Sequence, residues 1–333
     1  MLEGYRAVVA RELGGPANYA LADMPGSAPA AGQVKLRVAA AGVSYVDVLI
    51  ASGGYQVRPA TPFVPGTECA GSILAIGEGV EGLEIGQRVA AGCGLGGAFA
   101  EEAVVPAGSV IPIPDAIGFA AASGSYVSCQ TAYHALVQRG RLQAGETLLV
   151  LGASGGVGTA AVEVALALGA RVIASASTAK KRTAALALGA AHAIDSTAVD
   201  WRDQVKALTA GRGPDVVIDP VGGEETERAF RALAWNGRLL VIGFPGGGVP
   251  AIRTNLPLLK GASLIGVDIR QFREREPVLA GANLEALNDL VRTGRIAPST
   301  EHCFPLERFA EAMTLATDRD RIGRIAIVTG GSR

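Results

Sequence analysis

A chain of 333 residues, 49% of them hydrophobic, is longer than one core usually organises, so two domains are expected. Its 30 basic and 31 acidic side chains nearly cancel, which leaves no electrostatic case for nucleic acid or a membrane surface as partner. No apolar run approaches the ~20 residues of a membrane span, and the N-terminus lacks the long apolar segment of a signal peptide. Four scattered cysteines (Cys69, Cys93, Cys129, Cys303) argue against a disulfide framework or a Cys-rich zinc lobe, and a reduced, cytoplasmic protein is expected.

Residues 1 to about 122 do not alternate strand with helix. Short β-type runs at 6 to 11, 33 to 39, 69 to 76, 88 to 90 and 99 to 105 are separated by Pro and Gly clusters, which predicts a compact, β-barrel-like domain. A helical pattern returns from 120 to 142. The run TLLVL at 147 to 151 then reads as a buried strand, followed by the tight turn GASGGVG at 152 to 158. An Ala/Leu/Val helix ending at Gly169 and a second apolar strand at 171 to 174 complete a βαβ unit of the dinucleotide-binding type. Gly152 or Ala153 begins the turn, Gly155 lets the backbone approach a pyrophosphate, and Gly158 lets helix and sheet pack closely. The first amides of that helix are unpaired and stabilise an anion placed before them.

Beyond this unit the alternation is regular. Helices at 179 to 188, 201 to 209 and 224 to 234 separate strands at 191 to 194, 215 to 219 and 239 to 242, a doubly wound parallel sheet. After a Gly/Pro loop at 244 to 250 the pattern is mixed, with a long helical stretch near 276 to 293 and a final strand at 324 to 329. There is no repeat of solenoid length and no low-complexity tail.

The end of the second strand of the βαβ unit distinguishes the cofactor. NAD enzymes place a carboxylate there for the ribose hydroxyls. This chain has Ala174-Ser175-Ala176-Ser177-Thr178 followed by Lys180, Lys181 and Arg182. Hydroxyls and a basic cluster suit a 2′-phosphate, so NADPH is the expected cofactor. Basic residues at a helix N-terminus oppose the helix dipole, which favours a functional reason for them over a solvated first turn capped by Thr178.

The stretches AAAGVSYVDVLIASGGY (39 to 55), PFVPGTECAG (62 to 71), GQRVAAG (86 to 92), GASGGVG (152 to 158), DPVGG (219 to 223) and GFPGG (243 to 247) occur in the order found in medium-chain dehydrogenases/reductases. The chain resembles the zinc-free quinone oxidoreductase (zeta-crystallin-like) branch, and residues 233 to 247 are similar to its quinone oxidoreductase-like protein 2 group. The resemblance implies an α/β chain of two domains. A β-rich GroES-like catalytic domain would span 1 to 122 and 267 to 333, and an NADP-binding Rossmann domain with a doubly wound parallel sheet would span 123 to 266. Zinc alcohol dehydrogenases of the superfamily hold their metal with Cys, His and Cys. Those positions fall here on Ser44, Thr67 and about Val127, with Cys129 close by. Two hydroxyls and an alkyl group cannot make a zinc tetrahedron, so no metal site is expected.

By the same resemblance, Gly155, Gly156 and Val157, with Ser154 of the same turn, would meet the pyrophosphate. Ser175, Ser177 and Lys181 would meet the adenosine ribose and its phosphate, with Ser196 standing where relatives often carry a tyrosine. Thr131 would contact the nicotinamide region. Pro220, Val221, Gly222, Phe244 and Pro245 would line the carboxyl ends of later strands, and Arg319 would lie near the cofactor. Tyr55, Ser44 and Tyr45 would line the substrate cleft, with Tyr55 or solvent supplying the proton.

Without a metal to stabilise an alkoxide, an electron-poor acceptor is favoured, because conjugation spreads the incoming negative charge onto oxygen. NADPH-dependent quinone reduction is therefore expected, with enoyl or alkenal reduction as the alternative on the same scaffold. A third reading is a non-enzymatic role, crystallin-like or RNA-binding, and the balanced charge with no basic, aromatic-interleaved stripe argues against RNA. Relatives pair the edge strands of their cofactor sheets, which implies a homodimer through residues 264 to 267 (Leu264, Ile265, Gly266, Val267).

Overall fold

Strand-forming runs of the first part of the chain pair into a GroES-like sheet unit, and the later alternating segments build a separate Rossmann unit. The computed structural model describes residues 4 to 330. The first unit runs to Val127 and resumes at Pro298; the second is Ser128–Ala297.

In the first unit, β1 (Tyr5–Ala10) and β2 (Tyr19–Met24) form an antiparallel ladder. The long strand β3 (Gln33–Val43) leads directly into helix α1 (Tyr45–Ser52), then β4 (Glu68–Ile76) pairs back on β3. Two register shifts in that ladder, at Lys35/Leu36 and Val38/Ala40, bend the sheet as bulges do. Strands β5 (Arg88–Gly92), β6 (Glu102–Pro106) and β7 (Val110–Pro112) follow, and helix α2 (Phe119–Tyr133) crosses the boundary between the units. It widens into a π-helical stretch over His134–Arg139, so the helical pattern expected to 142 ends earlier.

The second unit is a six-stranded parallel sheet. Its strands are β8 (Thr147–Val150), β9 (Arg171–Ala176), β10 (His192–Asp195), β11 (Val216–Asp219), β12 (Arg238–Val241) and β13 (Ser263–Gly266). The interleaved helices are α3 (Gly156–Ala167), α4 (Ala179–Ala187), α5 (Trp201–Leu208), α6 (Glu224–Ala232) and α7 (Asn255–Lys260). Helices α8 (Ile269–Arg275) and α9 (Pro277–Arg292) complete the unit. The strand order β10-β9-β8-β11-β12-β13 reverses direction between β8 and β11. Ligands of such sheets bind beyond the carboxyl ends of the strands at that switch point.

Burial explains the near-continuous apolar strands. Leu148 and Val150 face one core with α3 and α9, whereas Leu149 and Leu151 face the other with α5 and α6. A strand covered on both faces has no polar side to expose.

The chain then returns to the first unit through β14 (His302–Pro305), α10 (Phe309–Thr317) and β15 (Ile325–Val328), which pairs antiparallel with β3. Residues 267 to 297, expected with the catalytic domain, group with the parallel sheet instead. Leu287 of α9 and Ile296 are buried against Leu136, Leu142 and Leu148. Residues 123 to 127, expected with the Rossmann domain, group with the first unit. Among the described residues no helix is long and apolar enough to cross a membrane.

Candidate active site

The glycine turn is built by contacts that exclude a side chain. Gly152 takes φ +57, and a Cβ there would meet Val221 Cγ2 at 2.7 Å. Gly158 lies against the turn itself: its Cβ would stand 2.1 Å from Gly152 O and 2.9 Å from Ala153 Cα. The start of α3 therefore rests directly on the end of β8. Gly155 is its N-cap and offers no side-chain cap, so the leading amides of α3 have no hydroxyl or carboxylate of their own. Around Gly156 a Cβ would meet nothing within 4 Å. Ser154, Gly155, Gly156 and Val157 are all half-buried. Uncapped amides beside open space suit a diphosphate.

The neighbouring strand ends gather the residues expected around the adenosine. Ser175 is buried in β9, and its carbonyl accepts from Ala153 N at 3.1 Å. Lys181, only 5% exposed, points back along the first turn of α4 and donates from Nζ to Ser177 Oγ at 3.3 Å. Ser196 N reaches the Ala176 carbonyl at 3.3 Å, which places it beside the same strand end. Arg182 is turned elsewhere: Nη1 pairs with Asp195 Oδ2 at 2.9 Å. Asp195 also accepts from Thr197, and its carboxyl is held below the usual range first by those Thr197 hydrogen bonds and then by Arg182. The basic run thus splits, with Lys180 exposed, Lys181 inward and Arg182 neutralised.

Across the switch point, Asp219 at the end of β11 is 1% exposed and organises the next loop. Its Oδ1 accepts from Val221 N at 2.9 Å and Gly222 N at 2.8 Å, and Oδ2 from Thr226 Oγ1 at 2.5 Å. Gly222, at φ +76, admits Phe244, which a Cβ would meet at 2.8 Å. Pro220, Val221, Phe244 and Pro245 are brought to one rim in this way, and Gly246 N ties it by donating to Val221 O at 2.8 Å. Thr131 is buried on α2, and Arg319 lies exposed after α10.

The residues expected at the substrate end cluster in the first unit. Ser44 caps α1: its N–H and its Oγ–H both donate to Asp47 Oδ2 at 2.7 Å. Asp47 Oδ1 accepts from Thr67 N at 2.8 Å. Burial raises the Asp47 carboxyl above its ordinary value, with the Ser44 and Thr67 hydrogen bonds opposing that rise. The Ser44 proton is thus committed to Asp47, which leaves its hydroxyl oxygen only an acceptor's role. Tyr45 is half-buried in the first turn of α1. Tyr55 follows the left-handed Gly53 that ends the helix, is half-buried, and its N–H donates to Leu49 O at 3.2 Å.

The residues at the superfamily's zinc positions do not fit that metal. Ser44 is bonded to Asp47, and Val127 presents its backbone N–H to Glu68 Oε2 at 2.7 Å. Among the described residues no group of three His, Cys, Asp or Glu side chains could hold a metal ion. One cluster was hidden in the sequence: Cys69 and Cys93, 24 positions apart, bring their Sγ atoms to 3.6 Å. The pairing of β4 with β5 creates this contact, and no local spacing signals it.

Comparisons with known proteins agree with this architecture. Residues 30–115 match the alcohol dehydrogenase GroES-like domain and residues 156–282 the zinc-binding dehydrogenase family. The chain is 34% identical, over 98% of its own length and 90% of the relative's, to a quinone oxidoreductase-like protein 2 homolog of Nematostella vectensis. A mycobacterial protein solved in complex with NADPH superimposes with a TM-score of 0.89 at 27% identity, covering 98% of this chain and 100% of that one. The CurK enoyl reductase does so at 0.88 and 26%, covering 98% and 99%. Fold, glycine turn and these likenesses define an oxidoreductase with a nucleotide-binding Rossmann unit. The chain belongs to the medium-chain dehydrogenase/reductase superfamily, in its quinone oxidoreductase branch.

Proposed function

We propose that the protein is an NADPH-dependent quinone reductase that works without zinc. Bound NADPH supplies a hydride to an electrophilic acceptor carbon. The protein's part is to hold, orient and desolvate. The uncapped amides at Gly156 and Val157, with Ser154 and Gly155, receive the pyrophosphate. Lys181 and Ser177, backed by Ser175 and Ser196, receive the 2′-phosphate. Thr131, Pro220, Val221, Gly222, Phe244, Pro245 and Arg319 line the remainder of the nucleotide. Tyr55 donates a hydrogen bond to the acceptor oxygen as charge develops there. Ser44 and Tyr45 shape the same region, with Ser44 as acceptor.

The observation that carries this reading is the uncapped glycine turn one strand away from a buried Lys181 on Ser177, with Ser175, Ala176 and Ser177 at the end of β9 where an NAD enzyme places its carboxylate. The NADPH complex of a structural neighbour and the name of the Nematostella relative support the choice of cofactor and acceptor. The likeness to an enoyl reductase supports the second reading, reduction of a carbon–carbon double bond conjugated to a carbonyl.

NADPH consumption measured with para-benzoquinone, phenanthrenequinone, conjugated alkenals and an enoyl thioester separates the two. Higher kcat/KM for the quinones is expected, and a preference for the enoyl thioester would install the alternative. Tyr55→Phe should lower kcat/KM; an unchanged value removes the phenol from the chemistry.

The same reading includes a homodimer. β13 is the last strand of its sheet, so its outer backbone edge lacks a neighbouring strand among the described residues. Leu264 on that strand is an exposed large hydrophobic, as are Leu258 and Leu259 shortly before it in the chain and Trp235, whose ring lies against Gly261. Light scattering at micromolar concentration should give twice the chain mass; a monomer mass would refute the pairing.

A further inference from the structure

We propose that Cys69 and Cys93 are a peroxide-oxidisable thiol pair that closes into an intramolecular disulfide beside the Ser44–Asp47–Thr67 network. Cys69 is 0% exposed in the middle of the sheet, between Glu68 and Ala70 of β4. Cys93 is half-buried just past the end of β5, and its N–H donates to Thr67 O at 2.8 Å. The two sulfurs are already in contact at 3.6 Å.

The pair is asymmetric in the manner a redox pair needs. Cys93 is among the residues lining a cavity of about 330 Å³, with Pro59, Phe63, Val64 and Leu95, and this is the side from which a small oxidant would approach. Cys69 has no surface and sits behind it as the resolving thiol. A disulfide requires the sulfurs to approach to about 2.05 Å. Cys69 is fixed in its ladder, but Cys93 is followed by Gly94 at φ +65, whose Cβ direction is open, and by Gly97 at φ +119. The loop after Cys93 can therefore supply the movement while β4 stays in register.

The chemistry balances with hydrogen peroxide as the two-electron oxidant. Its terminal oxygen passes to the Cys93 sulfur, giving a sulfenic acid and one water. The Cys69 sulfur then attacks Cys93, the S–O bond breaks, and the hydroxyl leaves as a second water with the Cys69 proton. Two thiols and one peroxide become one disulfide and two waters, and a dithiol reductant restores the pair. The hydrogen bond with Cys69, burial and the nearby Glu68 and Asp47 carboxylates push the Cys93 thiol up. A thiol held protonated in this way reacts slowly, so the pair responds to sustained rather than brief exposure.

The effect falls on the candidate site. Closing the bond ties the loop lining the cavity to the strand that begins beside Thr67, whose N–H is held by Asp47. The oxidised protein should have a smaller, stiffer cavity at Cys93.

The test counts thiols and needs neither NADPH nor an acceptor, so it stands apart from the proposed activity. A Cys303→Ser background removes the exposed cysteine of β14 and its intermolecular bridges. The folded protein is treated with hydrogen peroxide, quenched with catalase, denatured, alkylated and weighed, with peptide mapping. Reduced protein should carry three alkyl groups; oxidised protein should carry one, on Cys129, with a peptide joining Cys69 to Cys93. In Cys69→Ala, and in Cys69→Ser should alanine fold poorly, the bridge should vanish and dimedone should label Cys93. Three alkyl groups after peroxide, or a bridge from either cysteine to Cys129 or to another chain, would overturn the proposal.

Discussion

Replacing Gly158 by alanine adds one methyl group where the structure has no room. That Cβ would lie 2.1 Å from Gly152 O, 2.8 Å from Gly152 C and 2.9 Å from Ala153 Cα, all backbone atoms of the turn. None can rotate away as a side chain does, and Gly152 is itself held against Val221. The helix must lift from the end of β8, and overpacking of this kind costs about 3 kcal/mol, the upper part of its usual range. For a unit of this size each kcal/mol lowers Tm by roughly 2–4 °C, so a fall of about 6–12 °C is expected by differential scanning fluorimetry. Gly155→Ala separates folding from binding. Its Cβ would meet only Gly152 O at 3.5 Å, an ordinary contact, and its backbone is extended at φ −81 and ψ 170. That variant should melt with the wild type yet bind NADPH about tenfold or more weakly, a loss of ~1.4 kcal/mol, because the methyl group stands where the pyrophosphate approaches. A Gly158→Ala protein as stable as the wild type would refute the packing account. A Gly155→Ala protein with wild-type NADPH affinity would refute the placement of the pyrophosphate.

Three further outcomes follow from the site. Lys181→Ala should weaken NADPH binding by roughly 10- to 150-fold, the worth of a hydrogen bond to a charged group, and leave NADH unchanged; Arg182→Ala, whose guanidinium already serves Asp195, should leave the NADPH/NADH ratio unaltered, and fluorescence titration reads both. Asp47→Asn places an amide NH₂ against the N–H of either Ser44 or Thr67, so denaturant melts should show a loss of about 1–3 kcal/mol; equal stability would deny Asp47 its role as anchor. His134, 5% exposed and stacked on Phe272 at 3.8 Å, is pushed below its ordinary pKa chiefly by burial, with Arg139 adding to it and the hydrogen bond with Gln138, Glu276 and Asp268 opposing. The unfolded chain therefore binds this proton more readily than the fold does. The stability it contributes is full above the unfolded pKa near 6.5 and is lost as pH falls below that toward the folded value. The wild-type Tm should drop more than that of His134→Leu on going from about pH 7.5 to about pH 5.5, and parallel curves would contradict this.

The sequence carried the second unit almost whole because its signals are local. Strands covered on both faces carry short unbroken runs of Val, Ile and Leu, such as 148 to 150 and 216 to 218, and glycines mark the turns between them. The first unit was less legible. β2 (YALADM) and β14 (HCFP) carry polar residues and proline, and pairing rather than propensity makes them strands. Helix α1 is rich in β-branched residues and is held by Asp47 on Ser44 at one end and Gly53 at the other. The Ser-x-x-Asp spacing and that glycine were its available signals.

The basic run at 180 to 182 was read as a phosphate cluster, yet only Lys181 turns inward. Asp195, which takes Arg182, lies a strand away and is not adjacent in sequence. The return of the chain to the first unit only after residue 297 depends on Leu287 and Ile296 finding the core around Leu136, a tertiary fact without a sequence mark. The contact between Cys69 and Cys93 is of the same kind.

The account stands or falls on whether the turn after β8 seats a phosphorylated pyridine nucleotide in a protein free of metal. Chelator-treated protein, with its metal content checked by elemental analysis, should be titrated with NADPH and NADH while the nucleotide fluorescence is followed. The account predicts one saturable NADPH site per chain, at least about tenfold tighter than NADH, a difference of ~1.4 kcal/mol or more. Failure to bind NADPH, equal affinity for both nucleotides, or binding that returns only with added zinc would contradict it.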